Sequence, residues 1–391
     1  MRLLPLLYFL AAFSNAAESR LWTDQQDRKI AATLVGVEDQ NVTLRLKDGR
    51  KIPYPLAKLS PNDCQYVENY RAQLALENAS EPASILNFDG PWPERVKFGE
   101  DPKILTVEEN SDTKRYVYES ANYRYVCDVR LTQSVVKGFA VLFEATQHYC
   151  RSLPLAINGG IKVAGKLQIL LFEQFDNYVK AGGPPNSAGV FISGQGVVIV
   201  PLASLGVKPV GSSYMLDRAK NNNTLPHELT HQLTPETYFK KGSLGWLSEG
   251  IAEYVATTPY RSGTFNVRGN QKEIFDFTTG YGTKDRGGRA LGTKIHLPDL
   301  KSFMLQDYSG FLGQSTQLNY GGSLLITNYF FHMDGEGDAK RIKSYLKALH
   351  DGQDAEQSLA LLLDGRSFEK LQEDIAKAWH RKGIDLTFAM P

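Results

Sequence analysis

The stretch whose reading decides this chain is TLPHELTHQLTP, residues 224–235. Two histidines, His227 and His231, flank Glu228 at a spacing of four. Helix punctuation surrounds them. Thr224 stands where a cap is expected, Pro226 is tolerated in a first turn, and Pro235 marks a far end. At about 3.6 residues per turn the two histidines share one face, offset by about 40°. Two imidazoles so placed can reach one ion. Glu228 projects to the side and can act on a ligand of that ion. The bland alternative is a polar helix that happens to carry two histidines. With seven histidines in 391 residues, a chance HExxH is on the order of one in a hundred.

A catalytic zinc ion needs a third protein ligand and an open position. GSLGWLSEGIAEYVATTP, residues 242–259, follows at short distance and turns from glycines into a helical pattern. Glu249 lies in its first turn and Glu253 one turn on, on the same face. The economical reading makes Glu249 the third ligand. Glu253 then sits behind, where it can accept the spare N–H of a liganding imidazole and fix its tautomer.

HExxH followed by WLSEGIAEY resembles the gluzincin class of zinc peptidases, which includes thermolysin and the zinc aminopeptidases. The resemblance implies a Zn2+ cofactor held by His227, His231 and Glu249, with Glu228 as general base, Glu253 behind the ligands, and a peptide or protein substrate. In such a site the ion acidifies water, and the glutamate passes its proton to the leaving amine. Class members also use a tyrosine or histidine to steady the oxyanion. LNYGGSLLITNYFF, residues 318–331, is similar to the tyrosine-bearing helix of related peptidases. Tyr320 is the first choice and Tyr329 the second, and either reads equally well as a packing tyrosine. Two strands around Gly194 and Gly196 precede the motif, and in the class an edge strand there pairs with the substrate. The layout spans residues 115–385, but only 224–256 carries specific marks.

Composition narrows the remaining classes. Lys and Arg number 44 against 43 Asp and Glu, a net charge of +1, so no broad field favours nucleic acid or an anionic membrane. Leu3 to Phe13 is an apolar run too short to span a bilayer. Ser14, Asn15 and Ala16 then supply small residues before a cut near Ala17, which reads as a signal peptide over 1–17. The alternative is a buried N-terminal strand or helix. The expected location is secreted, periplasmic or cell-envelope, and no later run is a transmembrane segment. Of three cysteines, Cys127 and Cys150 could pair in an exported chain, and Cys64 is left over. His148, His296, His332, His350 and His380 have no partner at metal spacing. Arg286 and Arg289, in the glycine-rich run 280–294, read as solvated charge on a mobile loop, or as partners for a substrate carboxylate.

Before the motif, residues 18–75 carry three short alternating runs joined by turn signals, then a capped helical pattern. LWTDQQDRKIAATLVGVEDQNVTLRLKDGRKIPYPLAKLSPNDCQYV resembles the Sla-one homology domain, type one, a small Src-homology-like barrel. Its marks are Trp22-Thr23-Asp24, Asp48-Gly49 and the closing IPYPLAKLSPNDCQYV; Gln25 and Gln26 stand where the family usually has glycine. The resemblance implies a protein ligand for the barrel. Trp22 and Tyr54 are either surface aromatics for that ligand or barrel core. Residues 76–114 read as a linker leading into a first strand, and 115–385 as the catalytic domain, with β/α alternation first and three amphipathic helices last.

The fold class expected is therefore α+β: a small N-terminal β-barrel, then a two-lobed zincin-like domain of mixed sheet plus motif helix and a helical lobe. The function expected is an exported zinc metallopeptidase. The competing readings are a catalytically silent scaffold of the envelope whose barrel does the binding, and a zinc hydrolase of a non-peptide amide or ester.

Overall fold

The computed structural model describes residues 19–38, 41–46, 48–61, 63, 64, 66, 67, 87–99, 101–185, 187–217, 224–280 and 288–390. The expected signal peptide, residues 76–86 of the expected linker, and Arg286 lie outside them.

Near the N-terminus, β1 (Ser19–Thr23), β2 (Lys29–Glu38), β3 (Asn41–Leu46) and β4 (Lys51–Pro55) form an antiparallel meander in that order. Trp22, Leu34, Val42, Leu44, Leu59 and Val67 bury a small core of their own. The closed barrel expected from the sequence is absent among the described residues. Closure requires the first and last strands to pair, but β4 gives way after Pro55 to a 3-10 turn, Leu56–Lys58. That turn carries the chain across the end of β1, and a single bridge, Asp24 to Leu59, joins the two sides. Trp22 is core: it is 1% exposed, and its Nε1–H donates to Ala32 O at 3.0 Å. Tyr54 packs partly against the same core and donates its hydroxyl to Asp24 Oδ2 at 3.1 Å.

The second part is a mixed sheet covered by helices. β5 (Arg95–Lys97) and β6 (Leu105–Asn110) lie within the stretch read as a linker leading into a first strand. β7 (Arg115–Glu119), β8 (Tyr123–Cys127), α1 (Gln133–Ser152), β9 (Lys162–Val163), β10 (Lys166–Phe172), α2 (Phe175–Lys180), β11 (Val190–Ile192) and β12 (Val197–Pro201) follow. The sheet order is β11-β12-β10-β8-β7-β6, with β9 beside β10. β10 runs parallel to both neighbours, β8 and β12. It is covered on both faces, which is why Ile169 to Phe172 read as an apolar run without alternation. β11 is antiparallel to β12 and stands at the sheet's edge.

β13 (Val207–Val210) and β14 (Ser213–Leu216) make a hairpin, then α3 (Thr224–Leu233) carries the histidine motif. Thr224 is already helical rather than a cap. α4 (Trp246–Thr257), β15 (Tyr260–Arg261), β16 (Thr264–Asn266) and α5 (Gln271–Thr279) come next, with β5 pairing β16. The rest is β17 (Lys294–Leu297), α6 (Leu300–Leu305), α7 (Tyr308–Phe311), α8 (Thr316–His332), α9 (Lys340–His350), α10 (Ala355–Leu363), α11 (Phe368–His380) and β18 (Asp385–Phe388). β17 and β18 pair in parallel, a long-range contact that closes the C-terminus onto the fold.

One continuous apolar core runs from the α1 face of the sheet through α3, α4 and α8 to α11. α4 and α8 approach closely because residue 250 is glycine. A Cβ there would overlap the Thr327 hydroxyl and stand 2.7 Å from Ser323 O. α3 is tied to the sheet by Gln232, whose Nε2 donates to Gln168 O and Gly196 O at 3.0 Å each. These two contacts fix the elements that carry the site. No described helix is long and apolar enough to cross a membrane.

Candidate metal centre

Helical spacing does what the sequence implies. On α3, His227 and His231 turn their Nε2 atoms to within 3.0 Å of each other, with ring planes at 81°. Glu249, in the first turn of α4, brings Oε2 to 3.1 Å from each of them. The histidines are each 8% exposed and Glu249 is 2% exposed. Among the described residues this is the one group of three His, Cys, Asp or Glu side chains with donor atoms so converged.

The donor set fits zinc. Two imidazole nitrogens and one carboxylate oxygen are ligands of a kind zinc takes, and tetrahedral donors about 2.0–2.2 Å from the ion lie about 3.3 Å apart. The observed edges of 3.0–3.1 Å are a few tenths shorter. Tautomers agree. His227 Nδ1 lies 2.9 Å from Glu253 Oε1, so with Nδ1 protonated its Nε2 lone pair faces the triangle. Three lone-pair atoms gathered at hydrogen-bond distance require a cation or a proton between them.

The electrostatics follow from burial and neighbours. Burial opposes a charged His227, but the carboxylates of Glu249 and Glu253 outweigh it and lift the imidazole to about 10. Burial works against the Glu249 charge too, yet His231 and His227 hold that carboxyl far below its usual range. For Glu253, burial is again outweighed, by His227 and by Arg289. The site is therefore built to hold positive charge between anions. Glu228 differs: burial lifts it above the usual range, against His227, His231 and a backbone donor.

That donor is Phe191 N–H on the edge strand β11, 2.8 Å from Glu228 Oε2. The candidate base thus bridges the motif helix and the outermost strand of the sheet. Tyr320, on α8, brings its ring to 5.9 Å from the His227 ring and stacks on Phe311 edge to face. Its hydroxyl makes no hydrogen bond among the described residues. Tyr329 is turned elsewhere: it is 3% exposed and donates to Asp334 Oδ1 at 3.0 Å, in a network with Arg366.

Two further residues belong to the site. Tyr308 Oη donates to Glu249 Oε1 at 2.8 Å, so one carboxylate oxygen is held by a phenol while the other faces the histidines. No sequence signal marks Tyr308, which sits on a four-residue helix. Arg289 is not the solvated charge expected. It meets Glu253 through two bonds, Nε to Oε2 at 2.9 Å and Nη2 to Oε1 at 2.7 Å.

The other expectations resolve plainly. His332 bonds Tyr254 Oη at 2.8 Å, and burial lowers it to about 4. His296 bonds Thr387, His380 bonds Asp385, His148 packs on Phe98 and His350 on Phe88. All three cysteines are free, so the Cys127–Cys150 pair is not formed. Both thiols are buried, and burial pushes Cys150 up to about 12. A cavity of about 760 Å³ lies beside Gly138, Leu216 and Leu225. It includes none of the triad, because Leu225, two residues from His227, faces nearly the opposite side of α3. A second hollow, about 320 Å³, opens beside Trp22, Arg28, Ile30, Ile52 and Tyr54 on the N-terminal sheet.

Comparison with known proteins speaks to the N-terminal part. Residues 11–74 match the family model described as SLA1 homology domain 1, SHD1, which bears out the resemblance carried by Trp22-Thr23-Asp24 and the closing segment. The match begins inside the apolar run read as a signal peptide. No curated protein matches the chain.

Proposed function

We propose that this chain is an exported zinc-dependent peptidase. The observation that carries the reading is the convergence of His227 Nε2, His231 Nε2 and Glu249 Oε2 within 3.1 Å, with Glu228 on the same helix as the two histidines. Zinc bound there would supply Lewis acidity, bringing the pKa of water to about 7 and polarising a carbonyl. His227, His231 and Glu249 hold the ion, and Glu253 fixes the His227 tautomer. Glu228 takes the proton of the attacking water and delivers it to the departing amine. Its carboxyl, lifted by burial, suits that task. Tyr320, with a hydroxyl that bonds nothing among the described residues and a ring 5.9 Å from His227, is the donor to the oxyanion. β11 stands at the sheet's edge, where an extended peptide can lie alongside, although its Phe191 N–H is already given to Glu228. On this reading the sheet with α3 forms one wall of a cleft, and the helices carrying Tyr308 and Tyr320 form the other, in the two-lobed manner of zincins. The SHD1 part serves as a module for binding a protein ligand.

The test is Glu228→Gln in the full chain. The amide keeps an oxygen for Phe191 N–H and leaves the three ligands untouched. Metal analysis should give about one zinc per chain in both proteins, with cleavage of a peptide library reduced about 10²–10⁴-fold in the variant. Full zinc content with no cleavage by the parent chain favours the silent-scaffold reading, and absence of bound metal removes the zinc peptidase.

A further inference from the structure

Glu253 is not a lone carboxylate behind a ligand. Its Oε1 accepts from His227 Nδ1 at 2.9 Å and from Arg289 Nη2 at 2.7 Å, and its Oε2 accepts from Arg289 Nε at 2.9 Å. Glu253 is 2% exposed and the Arg289 side chain 18% exposed. The guanidinium thus locks the plane of the carboxylate through a paired bond that a single donor cannot provide.

Arg289 is itself held at several points. Its Nη1 donates to Gln317 Oε1 at 3.1 Å, and its backbone N–H to Phe277 O at 2.8 Å. Its face lies 4.3 Å from the centroid of the Tyr320 ring and 5.6 Å from that of Phe277. The backbone that seats it uses residue 288 at φ +134°, where a Cβ would stand 2.7 Å from Phe277 O. The chain there accepts only glycine, and the reward is an arginine delivered to a buried carboxylate.

Resting on the metallopeptidase reading, we infer that Arg289 is a positioning residue for the metal centre: through Glu253 it orients the His227 ring and so sets metal affinity, and its other face seats Tyr320. A carboxylate free to rotate would leave Nδ1 of His227 without a fixed acceptor and let the ring turn Nε2 away from His231 and Glu249. Outer partners of metal-bound histidines are worth about 10–100-fold in affinity.

The experiment measures zinc and cobalt(II) affinity by chelator competition in the full chain, with thermal unfolding of each metal-free protein in parallel. Arg289→Ala and Glu253→Gln should each weaken binding by about 10–100-fold. The double variant should be no weaker than Glu253→Gln within about twofold, because Arg289 acts through Glu253. Arg289→Lys keeps the charge and the stem but not the paired bond. It should lose about tenfold and shift the visible cobalt spectrum, and it serves where Arg289→Ala does not fold. Affinity within twofold of the parent in either Arg289 variant overturns the inference, as does full additivity in the double variant. A parent chain that binds no metal fails differently, and takes down the metallopeptidase reading itself.

Discussion

Gly250→Ala tests whether the spacing of α4 and α8 sets the site. The added Cβ would overlap the Thr327 hydroxyl and lie 2.7 Å from Ser323 O. A threonine can change rotamer, but a helix carbonyl cannot step aside, so α4 must retreat from α8. Overpacking of this kind costs about 1–3 kcal/mol, and a backbone contact under 3 Å belongs at the upper end. Alanine returns about 1 kcal/mol of helix propensity. The net loss is then about 2 kcal/mol, or about 4 °C in melting temperature at the roughly 2 °C per kcal/mol of a large domain. The same retreat moves Glu249, one residue away, out of a triangle whose edges are 3.1 Å or less. Calorimetry of the metal-free chain and chelator competition for zinc read the two effects. Stability and zinc affinity should fall together, and Gly250→Ala with Thr327→Ala should recover part of each, since one of the two contacts is gone. A Gly250→Ala protein with unchanged melting temperature and zinc affinity would refute the packing argument.

Tyr308→Phe strands Glu249 Oε1 without its donor in a buried place; it should cost about 1.5–3 kcal/mol of metal-free stability by denaturant titration, and an unchanged midpoint would separate Tyr308 from the site. Tyr320→Phe should lower kcat by about 10²–10³-fold with zinc content intact; equal turnover would remove its hydroxyl from the chemistry. The N-terminal meander should weaken in acid. Burial raises the Asp24 carboxyl, but bonds from Arg28, Gln26 N–H and Tyr54 bring it down to about 2, below the usual aspartate value. A folded value below the unfolded one contributes stability that is full above pH 4 and lost as pH falls towards 2. Hydrogen exchange over residues 19–67 of the full chain at pH 5 and pH 3 reads this, and Asp24→Asn should flatten that dependence.

What was legible in the sequence was local. The four-residue period of His227 and His231 needs only a helix, and so does that of Glu249 and Glu253; both pairs landed as read. KLQILLF announced a covered strand because its apolar run, Ile169 to Phe172, does not alternate and so has no solvent face to offer. The misses share a different cause. Arg289 looked like loop charge because its partner, Glu253, is 36 residues away. Tyr308 is 59 residues from the carboxylate it holds, in a segment too short to show a period. The β17–β18 pairing joins distant strands, and the open edge of the N-terminal meander depends on where the chain leaves β4. Tyr320 and Tyr329 share one helix and the same residue type. Only the packing around them separates the one beside the histidines from the one bonded to Asp334.

The N-terminal meander and the mixed-sheet domain bury their apolar side chains in separate clusters. Neither needs the other's residues to keep water out. Recombination could therefore append, delete or exchange the SHD1 segment in one event, without compensating changes beneath it. By contrast, a breakpoint anywhere between β7 and β18 would expose apolar surface on both fragments. The helices that complete the histidine site therefore share one core with the sheet and cannot be separated from it without exposing that core.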